Sequence, residues 1–504
     1  MKRVYLTMGA LLVWSTSALA GAGGETVTIP ADDYKAIMQQ LKSLQQRVDT
    51  LESKGKVAGD SAERKQAAAI PGKLEKDVQN IYSTLDTVET KTLKDRINLG
   101  AELRTRVDDI EVKNMNLGAA GFANVSHTDN HWTNRFRLNM DAEIRKNLLF
   151  TGRLTAYKNF ADNTTNQLIN DANQGHVPGD SGIKLDRAYV DWIPEGMPVP
   201  LAFTFGRHPS SEGPPQELKE NRKRQSTYPS LLFDGEADGV VATVGLERYL
   251  GWKQSGLRFA WGKAYQDDSA SISYLDNYGG ALKDSNIYAM FFETEIPGVK
   301  DSLLVLSALR ASNLPAESKY IGDANNTSKA TIGDMDMFGI HAQANRVANS
   351  NFDVFLSTGL NRTHPNGYIT FDPGTGPQNY GLLTTGLDAV NGTSHTGWAV
   401  YAGTRYNIQS KALNDPKVGF EFNHGSDYWF SFTWGSSELY NKLATRGNVY
   451  DLYYIQPFNE NLFARLGVTY IDYNYNMSGL QIGDWGGNTD ASLRDVYFLL
   501  DCRF

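Results

Sequence analysis

The sequence predicts a closed antiparallel transmembrane β-barrel of about 16 strands (about 18 if one hairpin is missed), preceded by a short α-helical coiled coil. Three observations predict it. Segments of alternating polar and apolar residues recur along most of the chain. The stretches between them alternate long and short. The final segment keeps the alternation to a terminal phenylalanine. Side chains of a strand alternate faces with a period of two, so each such segment has a greasy face and a polar face.

The N-terminus reads as a secretory signal over residues 1–20: Lys2 and Arg3 lead, Val4–Val13 form an apolar core, and Ala18-Leu19-Ala20 resembles a cleavage site. No Cys follows Ala20, so a lipoprotein anchor is not expected. Loss of Lys2 and Arg3 takes the formal charge from −8 to −10, and an acidic chain argues against a nucleic-acid partner. Mean hydropathy is −0.42, and no later apolar run has the roughly 18 residues of a spanning helix. The lone cysteine, Cys502, excludes an internal disulfide and cysteine-rich metal sites, and reads as a small apolar residue on a strand face.

Residues 21–93 carry two heptad seams. Tyr34, Ile37, Leu41, Leu44, Val48 and Leu51 form one; Leu74, Val78, Ile81, Leu85 and Val88 form the other, out of register with the first. Neither helix can bury its stripe alone, which predicts self-association into a homo-oligomer, a trimer, in the periplasm. Fold-back of one helix on the other is the competing reading.

The barrel is expected over residues 94–504. Its strand candidates are Arg96–Val107, Trp132–Arg145, Leu148–Phe160, Ile183–Ile193, Leu201–Arg207, Ala237–Leu246, Gly256–Ala264 and Ser285–Ile296. They continue with Ser302–Ala311, Met335–Arg346, Phe352–Arg362, Trp398–Ile408, Lys417–His424, Asn448–Gln456, Leu462–Tyr475 and Leu493–Phe504. Eight long connections alternate with seven short ones, as an even barrel requires when both termini share the short-turn end. On the last strand Val496, Phe498, Leu500 and Cys502 would face lipid, and Asp495, Tyr497, Asp501 and Arg503 the lumen. Phe504 at its end resembles the signal that outer-membrane barrels present to their assembly machinery. Trp192, Phe160, Tyr453, Tyr454, Tyr470, Tyr473 and Tyr475 fall near strand ends, where an aromatic girdle would lie.

The first three strands carry the most charge. Arg96, Glu102, Arg104, Arg106, Arg135, Arg137, Asp141, Glu143, Arg145 and Arg153 share the polar face and are the candidate pore lining. Seven arginines against three acids make this wall locally positive, and arginine rings favour anions. The long connection 208–236 is the candidate constriction. Pro209, Pro214, Pro215 and Pro229 stiffen it, Arg222, Lys223 and Arg224 form a basic cluster, and Glu212, Glu217 and Glu220 oppose them. His341, Gln343 and Asn345 read as lumen lining. No constellation suggests a metal, cofactor or nucleotide site.

The chain resembles a family of largely uncharacterised outer-membrane porins of Gram-negative bacteria that combine a signal peptide, an N-terminal coiled coil and a porin-like barrel. The matching residues are Gly206-Arg207, Glu217-Leu218-Lys219 with Asn221-Arg222, Thr227-Tyr228-Pro229, Asp238-Gly239, Val418–Ser426 and Leu452-Tyr453-Tyr454. The resemblance implies a fold and a broad role: passive passage of small hydrophilic solutes or ions, with outer-membrane lipid as surroundings and no enzymatic step. One rival reading is a barrel sheath housing a partner such as an electron-transfer cytochrome. Another is a lipid hydrolase built on His424 and Ser426, for which the sequence offers no orienting third group on a neighbouring lipid-facing strand.

Overall fold

The computed structural model describes residues 97–114, 125–159, 182–265, 283–317, 329–367, 370–371, 379–433, 438–475 and 488–504. The expected signal peptide and coiled coil lie outside them, as do Arg96 and Phe160.

Sixteen strands form one closed sheet, each antiparallel to its neighbours in chain order. They are β1 (Ile97–Lys113), β2 (Val125–Arg145), β3 (Leu148–Asn159), β4 (Gly182–Trp192), β5 (Leu201–His208), β6 (Ala237–Gly245), β7 (Gly256–Tyr265) and β8 (Ser285–Thr294). The rest are β9 (Ser302–Glu317), β10 (Lys329–Ala344), β11 (Phe352–Pro365), β12 (Thr396–Asn407), β13 (Lys417–Gly425), β14 (Gly447–Pro457), β15 (Leu462–Tyr475) and β16 (Asn488–Arg503). Closure joins β1 to β16, with Glu102 opposite Arg503, and leaves no strand edge unpaired. The amide of Phe504 donates to the Ala101 carbonyl at 2.9 Å and the Ala101 amide to Phe504 O at 2.8 Å.

The expected strands agree with these except at the long-connection end. There β1 runs six residues further, to Lys113, and β2 begins seven earlier, at Val125, pairing Lys113 with Val125. The extension reads Asp108-Asp109-Ile110-Glu111-Val112-Lys113. Beyond the lipid belt the outer face need not be apolar, so the alternation fades while the backbone ladder continues.

Outer-face residues are exposed and apolar: Leu103, Phe136, Phe259, Phe338, Leu356, Phe420, Leu466 and Phe498 among them. Their neighbours in sequence point inward and are buried, as with Arg104, Arg137, Asp451, Arg465 and Tyr497. A charge at the lipid midplane would cost about 2–4 kcal/mol, which fixes the register. Trp192 and Tyr470 face outward, but Tyr453 and Tyr473 share the parity of Asp451 and Ile471 and are buried inside. The aromatic girdle is therefore smaller than expected: proximity to a strand end does not override the period of two.

The interior is filled rather than wet throughout. The connections after β5, β11 and β13 fold inward. Leu218, Leu231, Leu232, Leu382, Leu383, Trp429, Phe430 and Leu443 from these connections pack with Leu309, Met335, Met337, Phe355 and Tyr401 of the wall in one apolar cluster. Phe432-Thr433 pairs in parallel with Phe233-Asp234 and ties two of these connections together. Trp429 is fully buried and donates from Nε1 to the Leu443 carbonyl at 2.9 Å. Its ring lies against Gly359, where a Cβ would come within 2.5 Å of it.

Candidate functional site

The segment 209–232 leaves β5 and returns to β6 through the inside of the barrel. Its shape begins with its prolines, which limit φ, and with Gly213, whose missing Cβ would fall 1.7 Å from the Tyr228 carbonyl oxygen. The two limbs of the segment join where the Ser230 amide donates to Pro214 O at 3.0 Å. Between them a single helical turn, α1 (Gln216–Lys219), is buried at every residue.

A helix end leaves backbone carbonyls without partners. Here three wall arginines supply them. Arg405 of β12 donates to Leu218 O at 2.7 Å, Arg465 of β15 to Lys219 O at 2.7 Å, and Arg503 of β16 to Glu220 O at 3.0 Å. Cations also suit the negative end of the helix.

The side chains of the segment reach most of the circumference. Glu212 meets Arg137 at 2.6 Å, Arg153 at 3.1 Å, Arg187 at 3.3 Å and Arg222 of its own segment at 3.3 Å. Glu220 pairs with Arg104, with Arg465 at 3.1 Å and with Arg503 at 3.6 Å. Lys219 pairs with Glu438 at 2.6 Å and with Asp451, which also holds Lys442 at 2.6 Å. Glu217 accepts from Gln343 of β10 at 2.8 Å. Burial opposes the charges of Glu212 and Glu220, but the surrounding arginines outweigh it and hold both carboxyls well below the usual range. For Glu217 burial outweighs the Gln343 hydrogen bond, a backbone hydrogen bond and the more distant Arg224 and Arg405, and its carboxyl is pushed up.

The candidate lining residues divide. Glu102, Arg104, Arg106, Arg135, Arg137 and Arg153 are buried in this ionic layer. Asp141, Glu143 and Arg145 are exposed near the short turn after β2, outside it, and Asp141 accepts from Thr151 at 2.9 Å. Arg222, Lys223 and Arg224 do not converge as a basic cluster. Arg222 reaches Glu102 on β1 at 3.0 Å, Arg224 reaches Glu293 on β8, and Lys223 is exposed. An extended chain sends successive side chains in different directions, so adjacency in sequence does not make a patch.

The positive wall anticipated on β1–β3 is matched by carboxylates that the strands alone did not reveal. Around Glu212, the arginines Arg135, Arg137, Arg153, Arg187 and Arg222 face the four carboxylates Glu102, Asp186, Glu212 and Glu236. Sequence reasoning missed Arg187, Arg405 and Arg465 as site residues, although each lies in an identified strand segment and parity alone would have turned Arg465 inward. It had no signal for Glu236, Glu438 or Lys442, which lie in connections.

Away from the ionic layer, whose inward residues on β2–β4 are buried, exposure inside the barrel is one-sided. Inward residues Asn139, Thr151, Tyr189, Asp191 and Thr204 of β2–β5 are half-buried, whereas Ser307, His341, Ser357, Glu421, Asp451 and Thr469 of β9–β15 are buried. His341 and Gln343 lie in that packed side, with His341 Nδ1 2.7 Å from Ser357 Oγ. On the outside, His424 Nδ1 lies 2.9 Å from Asn448 Oδ1 across β13 and β14, an orienting group the sequence did not suggest. Ser426 Oγ instead accepts the Trp398 amide at 3.0 Å, and among the described residues it makes no hydrogen bond to His424. Among the described residues no group of three or more His, Cys, Asp or Glu could hold a metal ion.

Among solved structures the chain is similar to OprB of Pseudomonas putida, at 13% identity over 82% of this chain and 96% of that one, with a TM-score of 0.44. It is similar to an anion-selective porin from Comamonas acidovorans at 9% identity, over 81% of this chain and 99% of that one, with a TM-score of 0.44. OmpF of Salmonella typhi, solved as a complex with daunomycin, matches at 10% identity over 81% and 97%, with a TM-score of 0.40. At these values the likeness says nothing of solute or selectivity. A search of curated proteins by sequence finds no match. Residues 125–496 match the model of a family described as "Protein of unknown function (DUF3373)", and the chain, whose match covers more than half its length, belongs to that family.

Proposed function

We propose that this protein is an outer-membrane porin through which small hydrophilic solutes and ions diffuse along the β2–β5 side of the lumen, with a weak preference for anions. The observation that carries the reading is the one-sided interior. The segment 209–232 is fastened to the wall by ion pairs, and half-buried polar residues line β2–β5 opposite a packed, apolar side. A fixed segment defines the size of a pore, hydration and lining charge decide what enters, and no chemical step is needed. The apolar outer belt fits a bilayer, and Phe504 fits recognition by the assembly machinery. A trimer carried by residues 21–93 on the periplasmic side completes the reading. Comparing the oligomeric state with and without residues 21–93 tests that part.

The sheath reading is the weaker alternative, because the chain's own connections pack inside the barrel. The hydrolase reading gains Asn448 but lacks a contact between Ser426 and His424.

Single-channel recording in planar bilayers tests the main proposal. Steady conductance, with a reversal potential in a KCl gradient on the anion side, is expected. Reversing charge at Arg135 and Arg137 to Glu moves that potential toward cations. A protein that never conducts, or a reversal potential that ignores both substitutions, overturns the reading.

A further inference from the structure

We propose that Arg135, flanked by Arg137 and Arg222, is a binding site for a small oxyanion, a carboxylate or a phosphate, on the open side of the lumen. The proposal rests on the reading of the barrel as an anion-preferring pore and gives that preference a place.

Pairing is the first ground. In the ionic layer Arg137, Arg153, Arg187 and Arg222 each have a carboxylate oxygen at 3.3 Å or closer. Arg135 does not. Its contacts are Glu102 at 3.7 Å and Glu212 at 4.0 Å, both carboxylates already shared with closer arginines. Among the described residues its Nε and Nη2 make no hydrogen bond, yet the residue is only 5% exposed. A guanidinium so removed from water and so poorly paired is costly.

Charge is the second. The five arginines around Glu212 outnumber their four carboxylates, and directly across the ladder from Arg135 stands Arg104, whose own acids are Glu220 and Asp501. Among the described residues the next acids toward Arg135 are Glu220 and Asp501, and both are held at closer range by Arg104. The third ground is donor geometry. Among the described residues the Nε groups of Arg137 and Arg222 are unpartnered as well. Guanidinium forks with free N–H groups match oxyanions better than they match a spherical halide. Tyr157, which pairs with Arg135 across β2 and β3, is 56% exposed, so lumen space lies beside the covered guanidinium.

Thermal unfolding of the full chain in detergent, followed by circular dichroism, tests this without needing conductance. Phosphate and, separately, acetate are titrated against KCl at constant ionic strength. The wild type is expected to show a saturable rise in Tm with at least one of the two and none with KCl alone. Arg135→Gln is expected to move the half-saturating concentration up by about tenfold or more, and Arg135→Lys, which keeps the charge but loses the fork, by less. If Arg135→Gln fails to fold, Arg135→Lys carries the comparison. An unchanged half-saturating concentration in the variants, no rise with either oxyanion, or an equal rise with chloride overturns the site. A protein that binds phosphate through Arg135 but never conducts defeats the pore and keeps the site. One that conducts while its titration ignores Arg135 defeats the site and keeps the pore.

Discussion

The two sides of the lumen are built on different physics. On the side of β1–β4, β15 and β16, the inner segment is held by guanidinium and carboxylate groups in a layer where Glu212 and Glu220 each face several arginines. On the side of β9–β12 it is held by a dry cluster with Trp429, Leu231 and Leu382 fully buried. Ion pairs taken from water nearly cancel their own desolvation, whereas each buried large apolar side chain contributes about 1.5–3 kcal/mol. The difference teaches that the apolar side fixes where the segment sits, while the ionic side sets the field along the space left open.

The sharpest break in that comparison is Trp429→Ala. It removes the largest fully buried side chain of the dry side and should cost about 4 kcal/mol, read as a lowered temperature of unfolding by circular dichroism. Glu212→Gln should cost somewhat less, about 3 kcal/mol, because Arg137, Arg153, Arg187 and Arg222 lose a shared counter-charge while packing survives. It should also make the channel more anion-preferring, seen as a shifted reversal potential. If Glu212→Gln is instead the costlier of the two, the division of labour is wrong.

The acids of the segment predict a smaller effect, with two opposite signs. The carboxyls of Glu212 and Glu220 are lowered on folding, so their stabilisation is complete above the ordinary value of 4.5 and is lost as pH falls below it. The carboxyl of Glu217 is raised, so the folded protein retains its proton to higher pH than the unfolded chain does. Its contribution is fully present below 4.5 and fades as pH rises through the folded value. Tm measured against pH should therefore fall less steeply below 4.5 in Glu212→Gln, where Glu220 still contributes, and lose any decline just above 4.5 that Glu217 causes in Glu217→Gln. Least of all, Lys223→Ala should change stability by no more than about 0.5 kcal/mol, since the side chain is exposed between two neighbours that do the anchoring.

How much of this was legible from residue order follows from range. Phe136, Leu138 and Met140 against Arg135, Arg137 and Asn139 announce a strand, and the same local period told which of each pair faces in. It also corrects the girdle, since Tyr453 and Tyr473 obey it and turn inward. Five of the seven basic positions, Arg104, Arg106, Arg135, Arg137 and Arg153, lie in the layer, but their nearly balanced network was not visible, because Glu212, Glu220 and Glu236 come from a connection with no period to read. Trp429 and Leu443 gave no warning that they would fill the lumen.

The chain by itself determined the barrel, its strand number to within one hairpin and the inward or outward sense of most wall residues, because alternation is a property of neighbouring residues in an extended backbone and the bilayer punishes the wrong face. Only the tertiary structure decided which connections fold inside, which acids meet which arginines and where the lumen stays open. Those depend on residues far apart in sequence meeting across a closed sheet, and no local pattern encodes that meeting.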